Sequence, residues 1–181
     1  MLITLAVLCT FLEGDWVQFR GPNSDGHAGE LKTPLEWAET KNVAWKSAVP
    51  GLGWSSPAIA DGRVFLTTAV PLGEGLSLRV LALDAASGAT IWNQEVRAVD
   101  KAPKIHAKNS HASPTPIVDN GAVYVHFGVL GTAKLSAADG HVEWATSELD
   151  YSPVHGSGGS PVLHDGRLFV ACDGSSNPYV A

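Results

Sequence analysis

The histidines are the side chains of this sequence most suited to chemistry, because an imidazole can bind a metal ion or transfer a proton near neutral pH. Seven are present, and His106, His111 and His155 fall in predicted loops that can reach one face of the molecule. The spacings His-x-His and His-Glu-x-x-His, which bring two ligands onto one metal, do not occur. We therefore predict hydrogen-bonded loop histidines, with no metal site and no catalytic residue.

A run of glycine and serine at 156–160 is the second candidate for chemistry. Its backbone N–H groups could cradle an anion, but no helix is predicted after it to add an N-terminal dipole. We expect a tight turn into the next strand instead. Ser157 does not form a catalytic dyad with His155 in this interpretation, because no nucleophile-elbow motif is present.

One tryptophan, Trp54, stands apart from the others because it precedes a predicted first strand. Two interpretations stay open: an exposed aromatic that contacts a partner, or a side chain packed beneath a central channel. Together with three of the histidines it forms the candidate partner or ligand face, which consists of Trp54, His106, His111 and His155.

Composition limits the possible partners further. The 181 residues carry a net charge of −6 with no run of lysine or arginine, which argues against nucleic acid and anionic membranes. A hydrophobic fraction of 45% with 17% charged residues is typical of a globular protein. Cys9 and Cys172 show neither zinc-site spacing nor a disulfide framework, and we expect Cys172 to be a buried small hydrophobe.

Residues 1–14 are mostly apolar and resemble the hydrophobic part of a secretory signal. They lack a basic start and a clear cleavage site, so a buried strand is the alternative, and the run is too short to span a bilayer. We predict a leader over 1–14, no transmembrane span, and an extracytoplasmic location that is either periplasmic or secreted.

Three segments of the chain align with one another without a gap, at 56–66, 115–125 and 160–170. Each begins with a small residue and a proline, continues through a short apolar run and a turn pair, and ends in an alternating apolar run. Asp-Gly and Asn-Gly pairs are the strongest short signals for a β-hairpin, because both central positions of a type I′ turn need a positive φ. The predicted hairpin turns are Asp61-Gly62, Asn120-Gly121 and Asp165-Gly166.

A second element follows the first two hairpins, at 82–92 and 134–144, and its copies also align without a gap. Each copy contains the end of a strand, a glycine turn and a strand with a tryptophan, and 42–48 looks like one more tryptophan strand. One unit of roughly 45 to 60 residues with four short strands is the blade of a β-propeller. We predict that Trp92 and Trp144 are mostly buried against the neighbouring blade.

The repeats predict an all-β fold of four-stranded antiparallel blades. The first blade is expected over 53–97, the second over 111–148 and a third from 157 onwards, with a long insertion at 98–110. We expect the first two blades to be complete and the third to lack its tryptophan strand.

Two regions are expected after the leader. Residues 15–52 form an N-terminal segment with a closing strand, and 53–181 form the blades. About three blades are fewer than the roughly four to eight that close a ring. The sequence therefore predicts an incomplete ring, a fragment of a propeller of seven or eight blades.

The first tryptophan element resembles the pyrroloquinoline-quinone (PQQ) type of repeat, in which alanine, aspartate, glycine and tryptophan form a tryptophan-docking motif. The second copy keeps Gly140 and Trp144 but departs from the motif at 134, 136 and 139, so the resemblance implies looser docking there. Serine stands at 87, where the family usually has threonine. The matching residues of the first copy are Ala82, Asp84, Ser87, Gly88 and Trp92.

The segments 16–23 and 155–161 are similar to those of the BamB-like propellers of planctomycete-type bacteria. That resemblance implies a non-catalytic scaffold for other proteins or for a cell-envelope ligand, without a cofactor. A PQQ-dependent quinoprotein oxidoreductase that uses Ca²⁺ and a polysaccharide-binding accessory domain are the alternatives. Many quinoprotein dehydrogenases of this fold have an adjacent pair of cysteines, which this sequence lacks.

Overall fold

The computed structural model describes residues 14–30, 34–176 and 178–181. The predicted leader lies outside these residues except for its last one, Gly14, and Cys9 lies outside them too. Within the described ranges, no helix is long and apolar enough to cross a membrane. Cys172 is fully buried, as its apolar neighbours in the sequence predict.

The first blade is a four-stranded antiparallel sheet with its strands in chain order. These strands are β1 (Ala58–Ala60), β2 (Arg63–Leu72), β3 (Gly75–Asp84) and β4 (Thr90–Val99). The apolar strand β3 is buried along almost its whole length, whereas β4 alternates between half-buried and exposed positions. A strand covered on both faces requires packing layers on both sides of the sheet, which neighbouring units of a repeat protein provide.

The second blade repeats this arrangement with shorter strands. They are β5 (Ile117–Asp119), β6 (Ala122–His126), β7 (Thr132–Ser136) and β8 (Val142–Thr146), with a 3-10 turn at Gly128–Leu130. In both blades the register between the third and fourth strands shifts at the same aligned place, after Ala82 and after Lys134. The repeat seen in the sequence is therefore also a repeat in backbone geometry.

The third unit is described as two antiparallel pairs, β9 with β10 and β11 with β12. Its strands are β9 (Val162–His164), β10 (Arg167–Phe169), β11 (Ala171–Cys172) and β12 (Tyr179–Val180). The predicted all-β fold of four-stranded antiparallel blades is confirmed, and the described sheets do not close into a ring.

All three predicted hairpin turns are confirmed. Each links two adjacent antiparallel strands, β1–β2, β5–β6 and β9–β10. Both residues of each pair have a positive φ, for example 49° at Asp61 and 70° at Gly62. Asparagine and aspartate tolerate this left-handed conformation better than other side chains do, and for that reason they precede glycine here.

One apolar core fills the space between the first two blades. Phe65 and Leu78 of the first blade lie in the same cluster as Val123, Val125 and Leu135 of the second. The two sheets thus bury each other, which a single blade of this size cannot do for itself.

The N-terminal segment lies along the edge formed by the first strands of these blades. Trp16 and Ile59 of β1 exchange two backbone hydrogen bonds of 2.8 Å. The next residue, Val17, accepts a hydrogen bond of 2.8 Å from the backbone N–H of Val118 in β5. One short segment therefore ties the two blades together.

Strand direction divides the molecule into two faces. Because the strands of a blade are antiparallel, the β1–β2 and β3–β4 turns lie at one end of the sheet, and the β2–β3 turn and the loops between blades lie at the other. The turn face is made of 61–62, 84–89, 120–121, 136–141 and 165–166. The loop face is made of 49–55, 72–75, 100–116, 127–131 and 147–161.

Candidate functional site

Tryptophans join neighbouring units at the turn face. The indole N–H of Trp45 donates to the carbonyl oxygen of Ala85, 2.9 Å away, and its ring lies against Gly88. Gly88 has a φ of 72°, and a Cβ at this position would overlap the indole, so both backbone and space require glycine. No neighbouring strand pairs with 42–48 among the described residues, and its role as a closing strand stays a prediction.

Trp92 repeats this contact one unit further along. Its indole N–H donates to the carbonyl oxygen of Ala137 at 3.2 Å, and a Cβ on Gly140 would lie 2.8 Å from its ring. Ala137 and Gly140 align with Ala85 and Gly88, the two residues that Trp45 contacts in the first blade. Trp92 is half-buried and packs on Phe65, with ring centroids 5.9 Å apart.

The expectation that Trp144 is mostly buried is wrong, because 41% of its surface is exposed. Trp144 lies opposite Lys134 on β7, just as Trp92 lies opposite Ala82 on β3, so its place in the blade is the same. What differs is the partner. Within the described residues, no third glycine turn of this kind faces the indole of Trp144.

The two docking turns contain the same pair of side chains, an aspartate and a serine, in opposite order. In the first, the hydroxyl and the backbone N–H of Ser87 donate to Asp84 at 2.6 and 2.8 Å, which lowers the pKa of that carboxyl. In the second, the hydroxyl belongs to Ser136 and the carboxylate to Asp139. The backbone N–H of His141 and the Ser136 hydroxyl lower the pKa of Asp139. The two departures from the family motif therefore exchange the positions of a carboxylate and a hydroxyl within the turn.

The loop face contains a cleft of about 220 Å³ between the insertion loop, the 3-10 turn and the glycine-rich loop. The lining includes one cationic side chain, Lys104, and no carboxylate. The apolar part of the wall comes from Ile105, Phe127, Val129, Leu130 and Pro153. A small apolar group is the kind of ligand that such a lining accommodates.

Of the three candidate histidines, His111 lines this cleft, while His106 and His155 each follow or precede a lining residue in the chain. The backbone N–H of His106 donates to the carbonyl oxygen of His155 at 3.2 Å, and the two imidazoles meet edge to face with centroids 5.2 Å apart. The Asn109 side chain donates to the same carbonyl oxygen at 2.9 Å, which ties the insertion loop to the glycine-rich loop. His111 lines the cleft, and burial lowers the pKa of its imidazole.

Trp54, the fourth candidate, lies on the loop face but is not one of the cleft residues. Its backbone N–H donates to the carbonyl oxygen of Ala112 at 3.0 Å, while 67% of its surface is exposed. The backbone is therefore fixed between the first two blades and the indole is accessible.

A buried chain of hydrogen bonds runs from the second blade to the cleft wall, and the sequence did not predict it. His126 Nδ1 lies 2.9 Å from Thr132 Oγ1, and His126 Nε2 lies 3.2 Å from Tyr151 Oη. Tyr151 Oη in turn lies 2.8 Å from Ser157 Oγ. Burial lowers the pKa of His126 to about 4 and raises the pKa of Tyr151, so both are neutral at pH 7. The available signal was a histidine ending a core strand, where a buried polar group needs a partner.

Comparison with known proteins gives the family. A model of the family described as outer membrane protein assembly factor BamB matches residues 35–172. Europium-containing methanol dehydrogenase matches with a TM-score of 0.53 and 17% identity, over 89% of this chain and 28% of its own. BamB from Moraxella catarrhalis matches with a TM-score of 0.33 and 17% identity, over 66% of this chain and 45% of its own.

Coverage and identity decide what each of these matches shows about the chain. No curated protein matches the chain. The chain spans less than half the length of either solved structure, and at 17% identity the dehydrogenase shows the fold alone. The family model, in contrast, covers most of the residues, including both complete blades. The chain therefore belongs to the family described as outer membrane protein assembly factor BamB, whose members it resembles in its PQQ-type propeller repeats.

Proposed function

We propose that this chain is part of a non-catalytic, extracytoplasmic scaffold that binds other proteins through its loop face. The observation that carries the proposal is the uneven distribution of exposed apolar side chains. Leu52, Trp54, Leu72 and Val154 on the loop face are each at least 60% exposed. Outside both faces, the same is true of Leu35, Trp37 and Val180. The turn face, in contrast, is built of alanine, serine, glycine, aspartate, asparagine and one histidine. Clustered exposed apolar groups mark surfaces at which proteins associate.

The family description supports the same direction. The matching family is described as an outer membrane protein assembly factor, and that description names other proteins as what is assembled. The fixed backbone and exposed indole of Trp54 fit that role, because tryptophan is enriched among the residues that dominate binding energy.

A PQQ-dependent oxidoreductase that uses Ca²⁺ is the alternative from another class. Among the described residues, no three His, Cys, Asp or Glu side chains are grouped closely enough to hold a metal ion. Ca²⁺ in proteins takes about six to eight oxygen ligands, largely from carboxylates and carbonyls. The chain covers 28% of the dehydrogenase, so the whole protein has to be assayed to decide the matter.

The experiment places a photo-crosslinking amino acid in the full-length protein in its own cells. It replaces either Val154 or Trp54 on the loop face, and Ala86, an exposed residue of the turn face without a positive φ, serves as the matched control. We expect discrete crosslinked proteins, identified by mass spectrometry, from the two loop-face positions and none from the control. Equal yields from both faces, or dye reduction that depends on added PQQ and Ca²⁺, would contradict the proposal. Saturable binding on a glycan array without any crosslinked protein would favour polysaccharide binding instead.

A further inference from the structure

The positions of protons in the buried chain determine what Ser157 offers to the cleft. Neutral His126 carries one ring proton, so its two nitrogens must play opposite roles. If that proton sits on Nδ1, it is donated to Thr132, and the Thr132 hydroxyl proton then has no acceptor among the described residues. Thr132 is only 3% exposed, and a buried unpaired donor costs about 1–3 kcal/mol.

The other tautomer leaves no buried proton unpaired. Thr132 donates to Nδ1 of His126, Nε2–H donates to Tyr151 Oη, and the Tyr151 hydroxyl donates to Ser157 Oγ. The one proton left over is that of the Ser157 hydroxyl, which is half-buried at the cleft wall. This arrangement is favoured because its single free donor lies where a ligand can accept it.

The surrounding charges select the same kind of ligand. The insertion loop at 98–110 contains Lys101, Lys104 and Lys108 against one acidic residue, Asp100, in a chain with a net charge of −6. Lys104 lines the cleft and no carboxylate does, although Asp173 lines an adjoining cavity that also includes Ser157. Both polar features therefore attract a group that accepts hydrogen bonds and carries negative charge.

The volume of the cleft limits the size of the group that it can bind. An apolar cavity of about 150 Å³ holds one benzene ring. A cleft of about 220 Å³ has room for one aromatic or branched aliphatic side chain together with a small polar head.

We propose that the loop-face cleft is an anchor site for one bulky apolar residue of a protein partner, with an adjacent carboxylate held by the Ser157 hydroxyl and Lys104. This inference rests on the proposed function, because it names the chemistry that the loop face would recognise in a partner. Ser157 is the hydrogen-bond donor, Lys104 is the counter-charge, and His126 with Tyr151 fixes the direction of the donor.

The binding experiment uses N-acetyl-L-phenylalanine as the probe and phenethylamine, which has the same ring and the opposite charge, as its control. We expect saturable binding of the first to the full-length protein by calorimetry, and none of the second. S157A should weaken binding about tenfold, as expected for a lost hydrogen bond to a charged group. K104A should weaken it several-fold and reduce its salt dependence, whereas K101A, in the same loop but outside the cleft lining, should leave it unchanged. Lys104 is exposed, so its variant is expected to fold even if the serine variant does not.

Nitrogen-15 NMR of the histidines provides an independent readout. We expect the Nε2–H tautomer for His126, and the Nδ1–H tautomer would overturn the donor role of Ser157. Equal binding of probe and control, or identical affinity of the parent, S157A and K104A, would overturn the anchor site. If crosslinking at Val154 persists without probe binding, the anchor fails and the scaffold stands. If the probe binds but no protein crosslinks, the scaffold proposal fails and so does the assignment to a protein partner.

Discussion

The turn face and the loop face are built by different kinds of contact. On the turn face a local hydrogen bond holds the first docking turn, between Asp84 and Ser87, three residues apart. The hydrogen bonds that join neighbouring units there recur at aligned positions, from Trp45 to Ala85 and from Trp92 to Ala137. On the loop face Asn109 binds the carbonyl oxygen of His155, 46 residues away in the chain. The turn face recurs in each blade, while the loop face differs from one blade to the next. In this propeller, repetition builds the scaffold, and the candidate site lies where repetition stops.

One repeated contact does cross the loop side of the blades. The backbone N–H of Ser56 donates to Thr115 Oγ1 at 3.1 Å, and the backbone N–H of Thr115 donates to Ser160 Oγ at 3.0 Å. These three residues are the aligned small residues that precede each strand-starting proline. The small side chain at this position is thus a hydroxyl that fixes one unit to the next.

The largest expected effect comes from the turn face. W92A removes a half-buried indole, its contact with Phe65 and its hydrogen bond to Ala137, and it should lower the free energy of unfolding by roughly 3–4 kcal/mol. I91A, the exposed neighbour on the same strand, should cost under about 1 kcal/mol. Chemical unfolding of the full-length protein measures both. Similar losses for the two variants would show that the indole does not join the blades.

Glycine substitutions compare the two faces directly. Gly121 on the turn face has a φ of 76° with open space around it, so G121A should cost about 1–2 kcal/mol for backbone strain alone. Gly128 on the loop face has a φ of 65°, and a Cβ there would overlap the Ser157 hydroxyl. G128A should therefore cost roughly 1–3 kcal/mol more than G121A. Equal losses in the free energy of unfolding would mean that the Ser157 side chain moves away from the added Cβ at little cost.

The buried histidine should make the loop face sensitive to acid. Burial depresses the pKa of His126 from 6.5 to about 4, so the unfolded chain binds a proton more tightly than the folded one. Its contribution to stability is complete above pH 6.5 and is lost as the pH falls towards 4. Between about pH 7.5 and 5 the loss should be about 2 kcal/mol. H126Q keeps an amide donor and acceptor without titrating, so it should lack this part of the pH dependence. If the free energy of unfolding falls equally with pH in parent and H126Q across that range, His126 is not the source of the acid sensitivity.

The sequence predicted local features well and distant ones poorly. Asp61-Gly62 specifies its own hairpin, because the φ values of a type I′ turn depend only on the two residues themselves. The packing of Trp92 against the neighbouring blade was predicted from the aligned copies of the repeat. Nothing local, however, indicates that Tyr151 lies beside His126, because that contact depends on how the third unit packs on the second. The exposure of Trp144 was missed for a similar reason, since burial depends on the facing turn and not on the tryptophan.

The smallest expected effect tests whether the two docking turns are equivalent. In the first turn, the carboxylate comes first and the hydroxyl third after it, and in the second the order is reversed between Ser136 and Asp139. The double variant S136D/D139S gives the second turn the order of the first. It should melt at the same temperature as the parent, because the hydroxyl still donates to the carboxylate.

The two single variants complete a double-mutant cycle, because their melting temperatures are compared with that of the double variant. S136D places two carboxylates in one turn without a hydroxyl donor, so it should melt lower and its carboxyl pKa values should rise, since like charges disfavour ionisation. D139S leaves two hydroxyls and no charge, and should also melt below the double variant. NMR titration of Asp84 gives the internal reference, because its pKa is lowered by Ser87 in a turn that none of these substitutions touches. A double variant that melts as low as S136D would show that the two turns hold their tryptophans by different means, and that the exchange of Asp and Ser between the copies is not a compensation.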